Sequence, residues 1–208
     1  MTVSEMALPD WLTVSAQTTE RLHQFAALVV KWNPAVNLVS KSSLSHLWQR
    51  HILDSAQVFN LAPTQARNWV DLGSGGGFPG LVIALLAAEH RPDLRVTLVE
   101  ADQRKSVFLA DAARQLGIVV AIHALRIEEL PPQNADVLTA RALAPLDQLC
   151  DFVARHLKPG GVALLQKGAA VEPEVIAAGR YWHFDLHRHV SLTDPTAAIL
   201  ELKALAHV

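Results

Sequence analysis

Asp71, Gly73, Gly75 and Gly77 alternate along Trp-Val-Asp-Leu-Gly-Ser-Gly-Gly-Gly-Phe-Pro-Gly-Leu, residues 69 to 81. A glycine turn between a strand and a helix lets backbone amides approach a nucleotide-like ligand closely. Dinucleotide sites space their glycines as G-x-G-x-x-G and rest a pyrophosphate on the helix N-terminus. Here the spacing is acidic-x-G-x-G-x-G, and no basic residue lies between Val70 and Glu89. A leading acid suits a ligand without phosphate, such as the cationic sulfonium and amino group of S-adenosyl-L-methionine. Glu100 closes the run Arg-Val-Thr-Leu-Val-Glu. It falls about twenty residues past the turn, where such folds place the acid that grips ribose hydroxyls.

Ligands of open parallel sheets bind outside the carboxyl ends of the strands, so the residues that follow each strand are the further candidates. After the third strand come Arg126, Ile127 and Glu128, the last two placed to meet an adenine. Arg141 ends the fourth strand in an otherwise apolar run. A guanidinium there needs a partner, and a cofactor carboxylate, a substrate phosphate or an internal Asp would each serve. Lys167 and Gly168 follow the fifth strand. In Arg50-His51-Ile52-Leu53-Asp54 the spacing puts His51 and Asp54 on one helical face, where they would bridge to each other and hold an N-terminal cap to the main domain, or where His51 would act as an acid or base. His183, Asp185, His187 and His189 alternate along a strand and read as a polar face, not a metal site. No G-x-S-x-G elbow, zinc pattern or P-loop is present, which sets aside hydrolase and nucleotide-triphosphatase chemistry.

The elements that must position these residues alternate from Trp69 onward. Strands are expected at Trp69–Leu72, Arg95–Glu100, Ile118–His123, Asp136–Ala140 and Val162–Gln166. Helices are expected at Pro79–His90, Gln103–Leu116 and Pro145–His156. Such alternation gives an α/β fold with a mostly parallel sheet covered on both faces. Phe184–Val190 and Ala198–Ala204, joined through Thr193-Asp194-Pro195, form a hairpin and make the last strand antiparallel. Residues 1–12 read as a loose tail or the start of a first helix. Ser15–Val30 reads as an amphipathic helix closed by Asn33-Pro34. Ser43 or Ser45 would cap a second helical segment running to Phe59. Residues 1–60 form a helical N-terminal cap and 61–208 the main domain.

The 208 residues carry a net charge of −2, so any RNA contact needs a local patch. A single cysteine, Cys150, rules out an internal disulfide, fits a reducing cytoplasm and reads as a core residue. No stretch approaches a membrane span and the N-terminus is not a signal peptide, so the protein is expected to be cytoplasmic.

With these residues in place, the chain resembles the bacterial small-subunit ribosomal RNA guanine-N7 methyltransferases, the glucose-inhibited division protein B (RsmG) family. The resemblance runs from about Asn37 to Gly168. It rests on Asn37-Leu38-Val39-Ser40, Arg50-His51-Ile52-Leu53-Asp54-Ser55, Asp71 to Gly80, Ala140-Arg141-Ala142-Leu143-Ala144 and Lys167-Gly168. It implies a class I S-adenosylmethionine-dependent methyltransferase with a helical N-terminal extension. It places the cofactor against Gly73, Phe78, Glu100, Ile127, Glu128 and Arg141, and turns Arg126 and Lys167, with Arg50 and His51, toward RNA. The implied partner is small-subunit (16S) ribosomal RNA within the subunit, met by a monomer. Family members often carry a basic residue opening the last strand, where this chain has Thr196-Ala197-Ala198-Ile199. Guanine N7 has a free lone pair, so catalysis would rest on proximity and alignment, with Arg141 orienting cofactor or base and no general base required. The alternative is a small-molecule methyltransferase that uses residues 1–60 as a lid.

Overall fold

The computed structural model describes residues 7–169 and 171–208; residues 1–6 of the expected tail lie outside the described residues. In chain order the elements are α1 (Ala16–Val36), α2 (Lys41–Leu44), a π-helical stretch (Trp48–Leu53), α3 (Asp54–Phe59), β1 (Asn68–Leu72) and α4 (Gly80–His90). Then come β2 (Arg95–Val99), α5 (Gln103–Leu116), β3 (Ala121–His123), a single 3₁₀ turn (Ile127–Glu129) and β4 (Ala135–Arg141). The chain ends with α6 (Leu146–His156), β5 (Leu157–Lys167), α7 (Val171–Ala178), β6 (Trp182–Val190) and β7 (Ala198–His207). The strands form one sheet in the order β3-β2-β1-β4-β5-β7-β6. All pairings from β3 to β5 are parallel, and the β5–β7 and β6–β7 pairings are antiparallel.

Strand alternation divides the interior into two hydrophobic clusters, one on each face of the sheet. Trp69, Leu98, Val137 and Leu164 face the cluster beneath α1, α4 and α5. Val70, Leu138, Ala163 and Leu165, their neighbours in sequence, face the cluster under α6 and α7. α4 is apolar all round, as a helix enclosed on every side must be, and every residue from Gly80 to Ala87 is buried. It lies between the sheet and the N-terminal helices, whose Leu22, Phe25, Val29 and Ile52 join the same cluster as Leu81 and Leu85.

Three expectations need correction. α1 runs through Pro34 to Val36, because a proline in the last turn removes only its own amide bond. The helix is stopped instead by Asn37 in the left-handed conformation (φ 56°), whose N–H donates to the Asn33 carbonyl at 2.9 Å. The second helical segment is divided, with Ser40 rather than Ser43 or Ser45 at its start, and its π-helical stretch puts an extra residue into the turn that carries Arg50 and His51. α7 appears where no helix was expected. The polar face expected on β6 is present: His183, Asp185 and His187 are exposed, His189 pairs with Glu201 at 2.7 Å, and the extra residue of the irregularity lies on β7.

Among the described residues no group of three metal-binding side chains occurs, and no helix is long and apolar enough to cross a membrane. Cys150 is a core residue as expected; burial, then Asp151 and Asp147, push its thiol up to about 12, so it stays protonated.

Candidate active site

The turn after β1 is built from its own backbone. The Ser74 N–H donates to the Val99 carbonyl at 3.0 Å, and the Gly77 and Phe78 amides donate to the Ser74 carbonyl at 2.8 and 3.2 Å. This folds the chain back beside the end of β2, where Glu100 reaches over it. One Glu100 oxygen accepts from the Gly75 N–H at 2.8 Å and the other from the Asp102 N–H at 2.8 Å. Each oxygen keeps a lone pair for a further donor. Gly75 has φ +54°, and a Cβ there would meet nothing nearer than the Gly73 carbonyl at 3.7 Å, so the space beside it is open.

That space is a cleft of about 480 Å³. Of the candidates, Gly73, Gly75, Phe78, Glu100, Ile127, Glu128 and Arg141 line it. Arg126, expected to face RNA, lies on its wall too, its guanidinium 3.8 Å from Glu128. Sequence reasoning missed Leu38, Lys105, Gln148 and Phe152, which also line it. Lys105 and Gln148 sit near the starts of α5 and α6, the one available signal, since helix starts in this fold face the carboxyl edge of the sheet.

Asp71 and Gly77 do not line the cleft. Asp71 is fully enclosed beneath the turn, accepting from Thr139 Oγ1 at 2.8 Å and from the Gly80 N–H at 3.2 Å. It braces the start of α4, while Trp69 Nε1 holds Thr139 from the other side at 3.0 Å. Burial pushes its carboxyl up to about 6 against the hydrogen bonds that favour the anion. A folded-state value above the unfolded one means that ionisation opposes folding. The stability tied to Asp71 is present in full below about pH 4, falls as pH rises to about 6, and totals about 3 kcal/mol. Asp71→Asn is expected to lack that fall when denaturant unfolding is followed from pH 4 to 7; an unchanged pH profile would refute the assignment.

Gly77 (φ +87°) is hemmed in by structure. An added Cβ would lie 2.7 Å from Leu81 Cδ1 and 3.0 Å from Phe25 Cζ. Gly77→Ala should therefore lower stability by about 1–3 kcal/mol, read by thermal unfolding, and leave cofactor affinity unchanged once folded.

A second, larger cavity of about 920 Å³ adjoins the cleft. The two share one wall, Arg141 and Ala142 to Ala144. Arg141 therefore has the internal-Asp partner among the three considered. Nη1 lies 3.5 Å from Asp54 Oδ2 and donates to the Arg50 carbonyl at 3.1 Å, and Nη2 donates to His51 Nδ1 at 2.7 Å. Its guanidinium also lies over the Phe78 ring, 5.2 Å from the centroid. The side chains of His51 and Asp54 do not bond to each other; both meet Arg141 instead, and through it they tie the N-terminal helices to β4. Burial, then Arg141 and Arg50, hold His51 down to about 3, so its imidazole is neutral and Nδ1 accepts.

Arg50 and His51 line this second cavity. Lys167 lines it as well, but its side chain is 10% exposed and engaged by Glu174 Oε2 at 2.6 Å and the Ala144 carbonyl at 2.8 Å. It braces the 142–146 loop and is not free to meet a phosphate. Ala142 holds φ +51° in that loop, a conformation unusual for a residue with a side chain.

A seven-stranded sheet of this order, with a glycine turn after β1 and a carboxylate after β2, is that of a class I methyltransferase. The O-methyltransferase TomG from Streptomyces achromogenes, solved with S-adenosylmethionine, shares the fold at a TM-score of 0.58 and 15% identity over 88% of this chain and 89% of that one. The chain belongs to the GidB family, rRNA small subunit methyltransferase G, whose model matches residues 18–201. Proteins named ribosomal RNA small subunit methyltransferase G are 53% identical in Ruegeria pomeroyi, over 98% of this chain and 100% of that protein, and 52% identical in Cereibacter sphaeroides, over 95% and 96%.

Proposed function

We propose that this chain transfers a methyl group from S-adenosylmethionine to N7 of a guanine in small-subunit (16S) ribosomal RNA, acting as a cytoplasmic monomer on the small subunit. The names of its relatives support the RNA substrate. The observation that carries the reading is the pair of cavities meeting at Arg141, one suited to the cofactor and one to an acceptor.

The cleft's residues fit the cofactor. Glu100 keeps acceptor capacity for two ribose hydroxyls, Ile127 and Glu128 stand at the adenine end, and open space lies beside Gly75. When bound, S-adenosylmethionine supplies a methyl already activated by its sulfonium. The chain's own residues then bring the acceptor into line and exclude water.

The titratable groups of the acceptor cavity that surround Arg141 and Lys167 are already engaged. His51 Nδ1 is filled by the Arg141 donor. The Asp54 carboxylate accepts from Gln57, Thr193 and Gln166, and Glu174 is held by Lys167 and the Leu146 N–H. None of these groups is poised to remove a proton, and guanine N7 needs none removed. The net charge of −2 does not prevent RNA contact, because local positive charge is present: Arg50 lines the acceptor cavity, and Lys105 and Arg126 line the cofactor cleft. The target base must leave its stack to enter.

The test is incubation of the purified protein with methyl-labelled S-adenosylmethionine and small subunits from a strain lacking the enzyme, with the label mapped by cleavage at N7-methylguanine. One labelled guanine is the expected result. Label in a metabolite, or on another RNA atom, would overturn it.

A further inference from the structure

The turn that joins β6 to β7 includes Ser191 to Asp194. In the structure it lines the acceptor cavity through Ser191, Thr193 and Asp194, and Ser191 is buried. Two residues of α3 hold it there across more than 130 positions of sequence. Gln57 Oε1 accepts from the Leu192 N–H at 2.8 Å, and Gln57 Nε2 donates to Ser191 Oγ at 3.0 Å and to Asp54 Oδ1 at 2.8 Å. Thr193 Oγ1 donates to the same Asp54 oxygen at 3.0 Å. The other oxygen, Oδ2, accepts from Gln166 Nε2 at 2.6 Å and faces Arg141 Nη1 at 3.5 Å.

We infer that Asp54, braced by Gln57 and Thr193, is a positioning residue: it locks the β6–β7 turn to Arg141 and makes that turn a working wall of the acceptor cavity. The inference rests on the acceptor role proposed above for this cavity and adds to it a residue set that touches no reacting atom. The orientation of Gln57 is fixed by chemistry, because its oxygen must meet an N–H and its nitrogen a carboxylate; a flipped amide would lose both. Asp54 is likewise filled by donors on both oxygens, so its carboxylate has one available position. A buried network satisfied in this way rigidifies what it joins, and Arg141 inherits that rigidity through its bond to Asp54. Loss of the brace would leave Glu100 and the glycine turn of the cofactor cleft in place, since neither Gln57 nor Thr193 touches that part. It would leave Arg141 free to shift at the point where the two cavities meet, and small displacements of a positioning group are costly to transfer.

The test uses the full chain and small subunits from a strain lacking the enzyme. Gln57→Leu is expected to lower kcat at least about 10-fold, by misplacement, with the dissociation constant for S-adenosylmethionine within about twofold of wild type. Thr193→Val should lower kcat several-fold and Thr193→Ser, which keeps the hydroxyl, should restore it; this pair also serves if Gln57→Leu fails to fold. In an Arg141→Lys background Gln57→Leu should add less than about twofold, because coupled positions are not additive. Full kcat in both Gln57→Leu and Thr193→Val, multiplicative effects with Arg141→Lys, or a loss confined to cofactor affinity would overturn the inference. A wild-type protein that labels no RNA would overturn the proposed function, and this inference with it.

Discussion

Arg141→Lys is expected to cut methyl transfer to small subunits by about 100-fold or more, the scale of loss that follows a misplacement of about 1 Å at a reacting pair. Arg141 meets four partners at once: it faces Asp54, donates to His51 and to the Arg50 carbonyl, and lies over Phe78. A lysine is a point charge on a flexible stem and cannot hold a planar fork across those partners. Its charge still compensates Asp54, so the variant should fold. Arg141→Met should do worse, leaving Asp54 buried without its cation and lowering stability by roughly 3–5 kcal/mol. Single-turnover kinetics with separate titration of the cofactor decides the matter. A lysine variant with wild-type turnover would remove Arg141 from the site's essential parts.

Glu100→Gln is expected to weaken S-adenosylmethionine binding by about 10–100-fold, equivalent to roughly 1.4–2.8 kcal/mol. The carboxylate oxygens each accept one backbone amide, from Gly75 and from Asp102. Glutamine has one acceptor oxygen, so its NH₂ group would confront one of those N–H groups, donor against donor. The same change removes an acceptor for a ribose hydroxyl. The loss therefore combines a disturbed turn with a missing ligand contact. Calorimetric titration measures it, and unchanged affinity would show that the cofactor does not use this end of the cleft.

The architecture was legible because its signals are local. The strand-helix alternation from Trp69 to Gln166 is written in apolar runs and glycines, and the five expected parallel strands all appear, though β3 shrinks to Ala121–His123 and β5 starts early at Leu157. What escaped was set by tertiary context. Nothing in the residues around Pro34 shows that Asn37 will stop the helix. A π-helical turn has no sequence period of its own, so the pairing of His51 and Asp54 with Arg141 was misread as a pairing with each other. Asp71 was expected against the ligand because acids near glycine turns often are, yet burial puts it beneath the turn, at the start of α4. Lys167 looked like a free cation at a sheet mouth, and its partner Glu174 belongs to a helix that was not foreseen. Most of the residues that line the cleft were readable; those whose role depends on a distant partner were not.

The cluster that α1 and the π-helical stretch share with α4 and α5 has a consequence for synthesis. The first helix leaves the ribosome with Leu22, Phe25 and Val29 bare, and the surface that covers them is not complete until Leu116 has been added. At elongation speeds of about 5–20 residues per second, that interval is on the order of ten seconds. During it the nascent chain shows an apolar stripe that the π-helical stretch and α4 cover only in part. The amino-terminal helix is therefore the part of this protein that a ribosome-associated chaperone would meet first, and hold longest.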